Sequence, residues 1–83
     1  MPKYYTIKGT MEINLTNVCH ALALAKIKDN KLREAEALFY EALIHITSAE
    51  NILKVSRGND HSHLELCKRL KENIESEIKS IAN

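Results

Sequence analysis

The stretch of residues 31–56, KLREAEALFYEALIHITSAENILKVS, constrains the fold more than any other part of the chain. Leu32, Ala35, Phe39, Ala42, Ile46, Ala49 and Leu53 recur every three or four residues. That spacing places all seven on one side of a 3.6-residue helix. Neither Pro nor Gly interrupts the run, and the strong helix formers Ala, Leu and Glu dominate it. A single helix has nothing against which to bury such a stripe. The flanking segments must therefore supply its packing partners.

Both flanks can do so. On the N-terminal side, Met11, Leu15, Val18, Leu22 and Ala25 are spaced 4, 3, 4, 3. They predict the core stripe of a first helix running from Thr10 or Asn14, both suitable N-caps, to about Lys28. A second apolar set, Ile13, Leu24 and Ile27, lies on roughly the opposite side. The polar break Lys28-Asp29-Asn30-Lys31 ends this helix, and Asn30 is a residue that accepts the left-handed conformation of a helix C-terminus. So short a link makes the first two helices an antiparallel hairpin. On the C-terminal side, Gly58 is placed to end the central helix and Asn59-Asp60-His61 to turn. Ser62 and Glu65 match the capping box S-x-x-E. A third helix is expected over 63–81, with Leu64, Cys67, Leu70, Ile74, Ile78 and Ile81 as its stripe and Lys and Glu on its outer face.

Residues 1–9 lack a helical period. Tyr5 and Ile7 alternate with Tyr4, Thr6 and Lys8, and Gly9 breaks the segment. A loosely packed leader is one reading, and a short strand or arm that pairs with another subunit is the other. The expected architecture is all-α: a three-helix antiparallel up-down-up bundle over 10–83, preceded by a short non-helical leader over 1–9.

Composition narrows the function by exclusion. The 83 residues suffice for one domain with a modest core. Twelve Lys and Arg against eleven Asp and Glu leave a formal charge of +1. That balance argues against a nucleic-acid binder, which is normally strongly basic. No apolar run is long enough to span a membrane. The opening MPKYYTIKG lacks the apolar core of a signal peptide. Cys19 and Cys67 stand apart with no CxxC partner, which fits free thiols in a reducing cytoplasm, although spacing alone leaves open a disulfide between the outer helices.

Chemistry-bearing patterns are sparse. His20 and His45 are isolated on helices. Asp60, His61 and His63 cluster near the third helix start but match no zinc spacing. No carboxylate pair stands out, and two glycines leave no phosphate loop. Neither a catalytic residue, a metal site nor a cofactor is expected. A further apolar set on the central helix, Ala37, Tyr40, Ile44 and Val55, serves either as core toward a second neighbour or as a surface for a partner.

Two family resemblances follow from particular residues. Asn30-Lys31-Leu32-Arg33-Glu34-Ala35, then Leu38-Phe39, then Glu41-Ala42-Leu43 resemble the second helix of the MIT domain, G-N-Y-x-x-A-x-x-x-Y-x-x-A-L. Ala21, Leu24 and Ala25 are similar to that family's first helix, and Ile74, Ile78 and Ile81 to its third. The resemblance implies a three-helix module that binds short amphipathic helices in a groove beside its third helix. On this chain the groove is expected along Tyr40, Ile44 and Leu66, with Lys68 and Lys71 beside it. The second resemblance lies in Arg57-Gly58-Asn59-Asp60-His61, similar to H-G-Q-D-H of the lactose/cellobiose-type enzyme IIA proteins, which are trimers. It implies a degenerate phosphotransfer protein, because Arg57 stands where those proteins carry the phosphorylated His. The resulting expectation is a non-catalytic cytoplasmic interaction module that binds a partner helix or associates with itself. A degenerate enzyme IIA-like protein and a small helical chaperone or subunit are the alternatives.

Overall fold

A computed structural model describes residues 2–55 and 61–82. They form three helices: α1 Pro2–Lys28, α2 Leu32–Val55 and α3 His61–Ala82. Cross-helix contacts fix their directions. Lys26 pairs with Glu34 at 3.1 Å beside the first turn, Glu12 meets His45 at 3.0 Å midway, and Gly9 packs on Leu53 at the far end, so α1 and α2 run antiparallel. Lys71 reaches Glu50 at 3.6 Å, while Tyr40 shares a groove with Lys79, so α3 runs antiparallel to α2. The result is an all-α three-helix bundle about 44 Å long, with α2 as the element against which both others pack.

The stripe on α2 is the core. Ala35, Phe39, Ala42, Ile46, Ala49 and Leu53 are all buried, and only Leu32, in the first turn, is exposed. From α3, Cys67 and Ile74 are buried against it, with Leu64, Leu70, Ile78 and Ile81 packed around them. The first turn also forms as the residue types dictate. Asn30 takes a φ of 61°, Lys31 N–H donates to the Lys26 carbonyl at 2.9 Å, and Asn30 N–H to the Ile27 carbonyl at 3.0 Å. These two bonds are a Schellman closure, which satisfies carbonyls that α1 would otherwise leave unpaired.

Two expectations about α1 are corrected. Of the residues expected as a non-helical leader, those described, 2–9, belong to α1. Proline suits a first helical position because its missing N–H is one that a helix start leaves unbonded anyway. Gly9 is not a breaker. It is buried inside α1, and a Cβ there would lie 2.7 Å from Leu53 Cγ and Cδ2. Its missing side chain lets the two backbones approach.

The second correction concerns which side of α1 faces in. Ile13, Thr16, Cys19 and Ala23 are buried, whereas the expected core residues Met11, Leu15, Val18, Leu22 and Ala25 are exposed. Of the second set, Ile13 is buried and Ile27 packs against the core, but Leu24 is exposed, and the small residues between them complete the inward side. Gly9, Thr16, Cys19 and Ala23 are small, so they let α1 lie close against the bulky Phe39, Ile46 and Leu53. Thr16 tolerates complete burial because its hydroxyl donates to the Glu12 carbonyl at 2.8 Å, one turn back.

At the other turn, Ser62 lies inside α3, whose described part already includes His61, two residues ahead of the expected His63. Arg57, Gly58, Asn59 and Asp60 lie outside the described residues, and with them the enzyme IIA-like motif and the expected helix end.

Candidate functional site

The antiparallel pairing of α2 and α3 leaves a groove of about 360 Å³ at the end of the bundle near the first turn. Tyr40 and Leu43 line it from α2, and Glu75, Ile78 and Lys79 from α3. Its floor is apolar, formed by Leu43 and Ile78, both half-buried against the core. Its rim carries one acid and one base. Tyr40, about half exposed, offers an aromatic face with a polar tip, the side-chain type most used at protein interfaces. Ile44 stands one turn further along α2 and is 68 % exposed, more than any other large apolar side chain in the described residues.

The five residues expected at a partner site do not form one patch. Tyr40 and Ile44 are neighbours on α2 and stand at or beside the groove. Lys71 lies on the same flank of α3 as Glu75 and Lys79, but its ammonium is turned to Glu50. Lys68 follows one turn earlier and pairs with Glu65 at 3.8 Å on the open surface. Leu66 precedes Glu75 by nine residues, which is half a turn round the helix, so it faces the opposite flank. Leu43, Glu75, Ile78 and Lys79 are groove residues that sequence reasoning missed. Ile78 was legible only as a member of the α3 stripe and Leu43 only as part of the MIT-like motif, and neither pattern marks a groove.

The histidines are dispersed. His45 Nδ1 and Glu12 Oε2 bridge α1 and α2 at 3.0 Å. The His20 ring tilts against Phe39 with centroids 5.7 Å apart. His63 is half-buried in the first turn of α3. Among the described residues, no three His, Cys, Asp or Glu side chains converge as metal ligands. Cys19 and Cys67 are free, and burial raises both thiols above their ordinary value, with Glu41 and Glu50 respectively adding to it. Thiols held protonated in this way are poor nucleophiles.

A second surface lies on the far side of α1. Tyr4, Ile7, Met11, Leu15, Val18 and Leu22 form a continuous exposed apolar stripe. Met11, Asn14, Leu15 and Val18 enclose a shallow depression of about 260 Å³ on it. Among the described residues no helix is long and apolar enough to cross a membrane.

Compared with known protein families, curated proteins and solved structures, the chain matches none.

Proposed function

We propose that the protein is a non-catalytic interaction module whose α2–α3 groove receives one face of an amphipathic helix from a protein partner. The observation that carries this reading is the groove itself: an apolar floor of Leu43 and Ile78, with Tyr40 at its mouth. A partner helix would seat one aliphatic side chain there and lay the next turn against Ile44. Helix-in-groove recognition works through such anchors at intervals of three, four and seven residues. On the rim Lys79 can meet a partner carboxylate and Glu75 a partner base, while Lys71 is already engaged by Glu50. The MIT-like pattern on α2 supports the same mode of binding, with Leu66 removed from the expected contact set because it lies on the other flank.

The test is fluorescence anisotropy with a labelled synthetic amphipathic helix carrying Leu at positions i, i+3 and i+7 and Glu on its flanks. Binding that is lost in Tyr40→Glu and Ile78→Glu, yet kept in Leu66→Asp, supports the groove. Absence of binding at hundreds of micromolar, or loss in Leu66→Asp alone, rejects it. Circular dichroism establishes that each variant keeps its helices.

A further inference from the structure

The outer face of α1 is unlike any other surface of the described molecule. Met11 is 59 %, Val18 54 % and Leu22 49 % exposed, although a lone helix hairpin would place such residues inside. From residue 9 to residue 25 the only acidic or basic side chain besides His20 is Glu12, and its carboxylate is held by His45 on the other side of the helix. Four turns of exposed surface therefore carry no net charge, in a chain where 28 % of residues are charged. Half-exposed side chains of this size offer about 80–100 Å² each, so the six present roughly 500–600 Å² of apolar surface. With Asn14, Ala21 and Ala25 beside them, the face approaches the ~800 Å² that each partner contributes to a standard interface.

We propose that this face pairs with the same face of a second copy of the chain, α1 against α1, forming a two-fold dimer. The shape of the face specifies a helix as its occupant. Met11, Asn14, Leu15 and Val18 stand at i, i+3, i+4 and i+7, the four corners of the hole that receives a knob in coiled-coil packing, and here the hole is open. Met11, Leu15, Val18, Leu22 and Ala25 keep the 4, 3, 4, 3 rhythm of such a seam. The lack of charge specifies the second copy. A charged partner would lose solvation here without gaining a counter-charge, whereas an identical neutral face loses none. The steps from Tyr4 through Ile7, Met11, Leu15, Val18 and Leu22 to Ala25 are 3, 4, 4, 3, 4, 3, nearly the same in both directions. An antiparallel copy thus meets the stripe in register except at its centre, with Met11 opposite Val18, Ile7 opposite Leu22 and Leu15 opposite Asn14. That arrangement also separates the two Lys8 side chains, which a parallel pair would set side by side. The α2–α3 groove stays open in this dimer, so each copy keeps its own partner site.

Multi-angle light scattering from micromolar to hundreds of micromolar decides the matter. The wild type is expected to reach twice its 9.5 kDa chain mass. Val18→Glu is expected to weaken association by at least about 30-fold, the loss that a central interface residue typically brings. Val18→Thr keeps the side-chain volume and serves if the glutamate variant fails to fold; it is expected to weaken association in the same direction. A wild type that is monomeric throughout overturns the proposal, and so does a dimer that both variants leave intact. A monomer that instead sediments with phosphatidylserine vesicles through Val18 assigns the face to a membrane surface and overturns it as well. In a Cys19→Ala, Cys67→Ala background, oxidising a mixture of Met11→Cys and Val18→Cys proteins should favour the mixed cross-link. A preference for like-with-like cross-links overturns the antiparallel arrangement.

Discussion

Single residues in this chain are most informative where a small side chain stands in a helix. Gly9 costs α1 about 1 kcal/mol of helix propensity relative to alanine. Its position against Leu53, which is buried and has little room to move, explains why the cost is tolerated. Gly9→Ala sets the propensity gain against overpacking of roughly 1–3 kcal/mol. The expected net result is a loss of about 1 kcal/mol in urea denaturation. A gain in stability would mean that the first two turns of α1 are not docked on α2. Asn30 is the converse case, in which the backbone and not the packing chooses the residue. Asn30→Ala places a Cβ without local hydrogen-bonding ability at a φ of 61° and should cost about 1 kcal/mol, while Asn30→Gly should be neutral or slightly stabilising. The two positions also mark what could be read in advance. Asn30 announces itself through local chemistry alone. Gly9 could not, because the same letter serves as a helix breaker and as a close-approach residue, and only the neighbour across the interface distinguishes them.

Whole helices differ in how far their patterns determine their orientation. On α2 a single dominant stripe leaves one solution, and six of its seven members are buried. On α3 the apolar stripe is narrow and its charged outer face is broad, so the inward side is equally plain. α1 carries two apolar stripes with almost no charge between them. Hydrophobicity alone then favours the bulkier stripe, Met11, Leu15, Val18 and Leu22, for the core. Close packing favours the smaller one, because Gly9, Thr16, Cys19 and Ala23 bring the helix axes together and bury the α2 side chains more completely. The groove residues Leu43 and Ile78 were hidden for a related reason: a seam between two helices depends on their relative rotation, which neither helix encodes alone. The orientation of α1 is directly measurable. Ile13→Ala removes a buried side chain and should cost about 2–4 kcal/mol. Met11→Ala should change the stability of the dilute monomer by less than about 0.5 kcal/mol, as for other surface substitutions. Denaturation at sub-micromolar concentration, with light scattering to verify that the protein is monomeric there, compares the two; equal losses would return the Met11 stripe to the core.

Taken whole, the molecule is a tight hairpin with a third helix laid on one side. α1 and α2 share an interface along their full length, whereas α3 contributes only Cys67 and Ile74 as fully buried side chains among those described. Fewer buried contacts imply a lower free energy of local opening, so α3 should undock before α1 and α2 separate. The two buried cysteines report on these events separately, Cys67 on α3 and Cys19 on the hairpin. Under native conditions Cys67 should react with iodoacetamide faster than Cys19, in single-cysteine proteins followed by mass spectrometry. Equal rates that fall together with added stability would mean one cooperative unit and defeat the idea. The same thiols make stability depend on alkaline pH. Burial raises both above the ordinary 9.0, so the folded state disfavours the thiolate relative to the unfolded chain. Their contribution is full below pH 9.0 and declines as pH rises toward the raised folded values. Wild type should therefore lose more stability between pH 8 and pH 10.5 than a Cys19→Ala, Cys67→Ala protein, whose remaining loss comes from other groups.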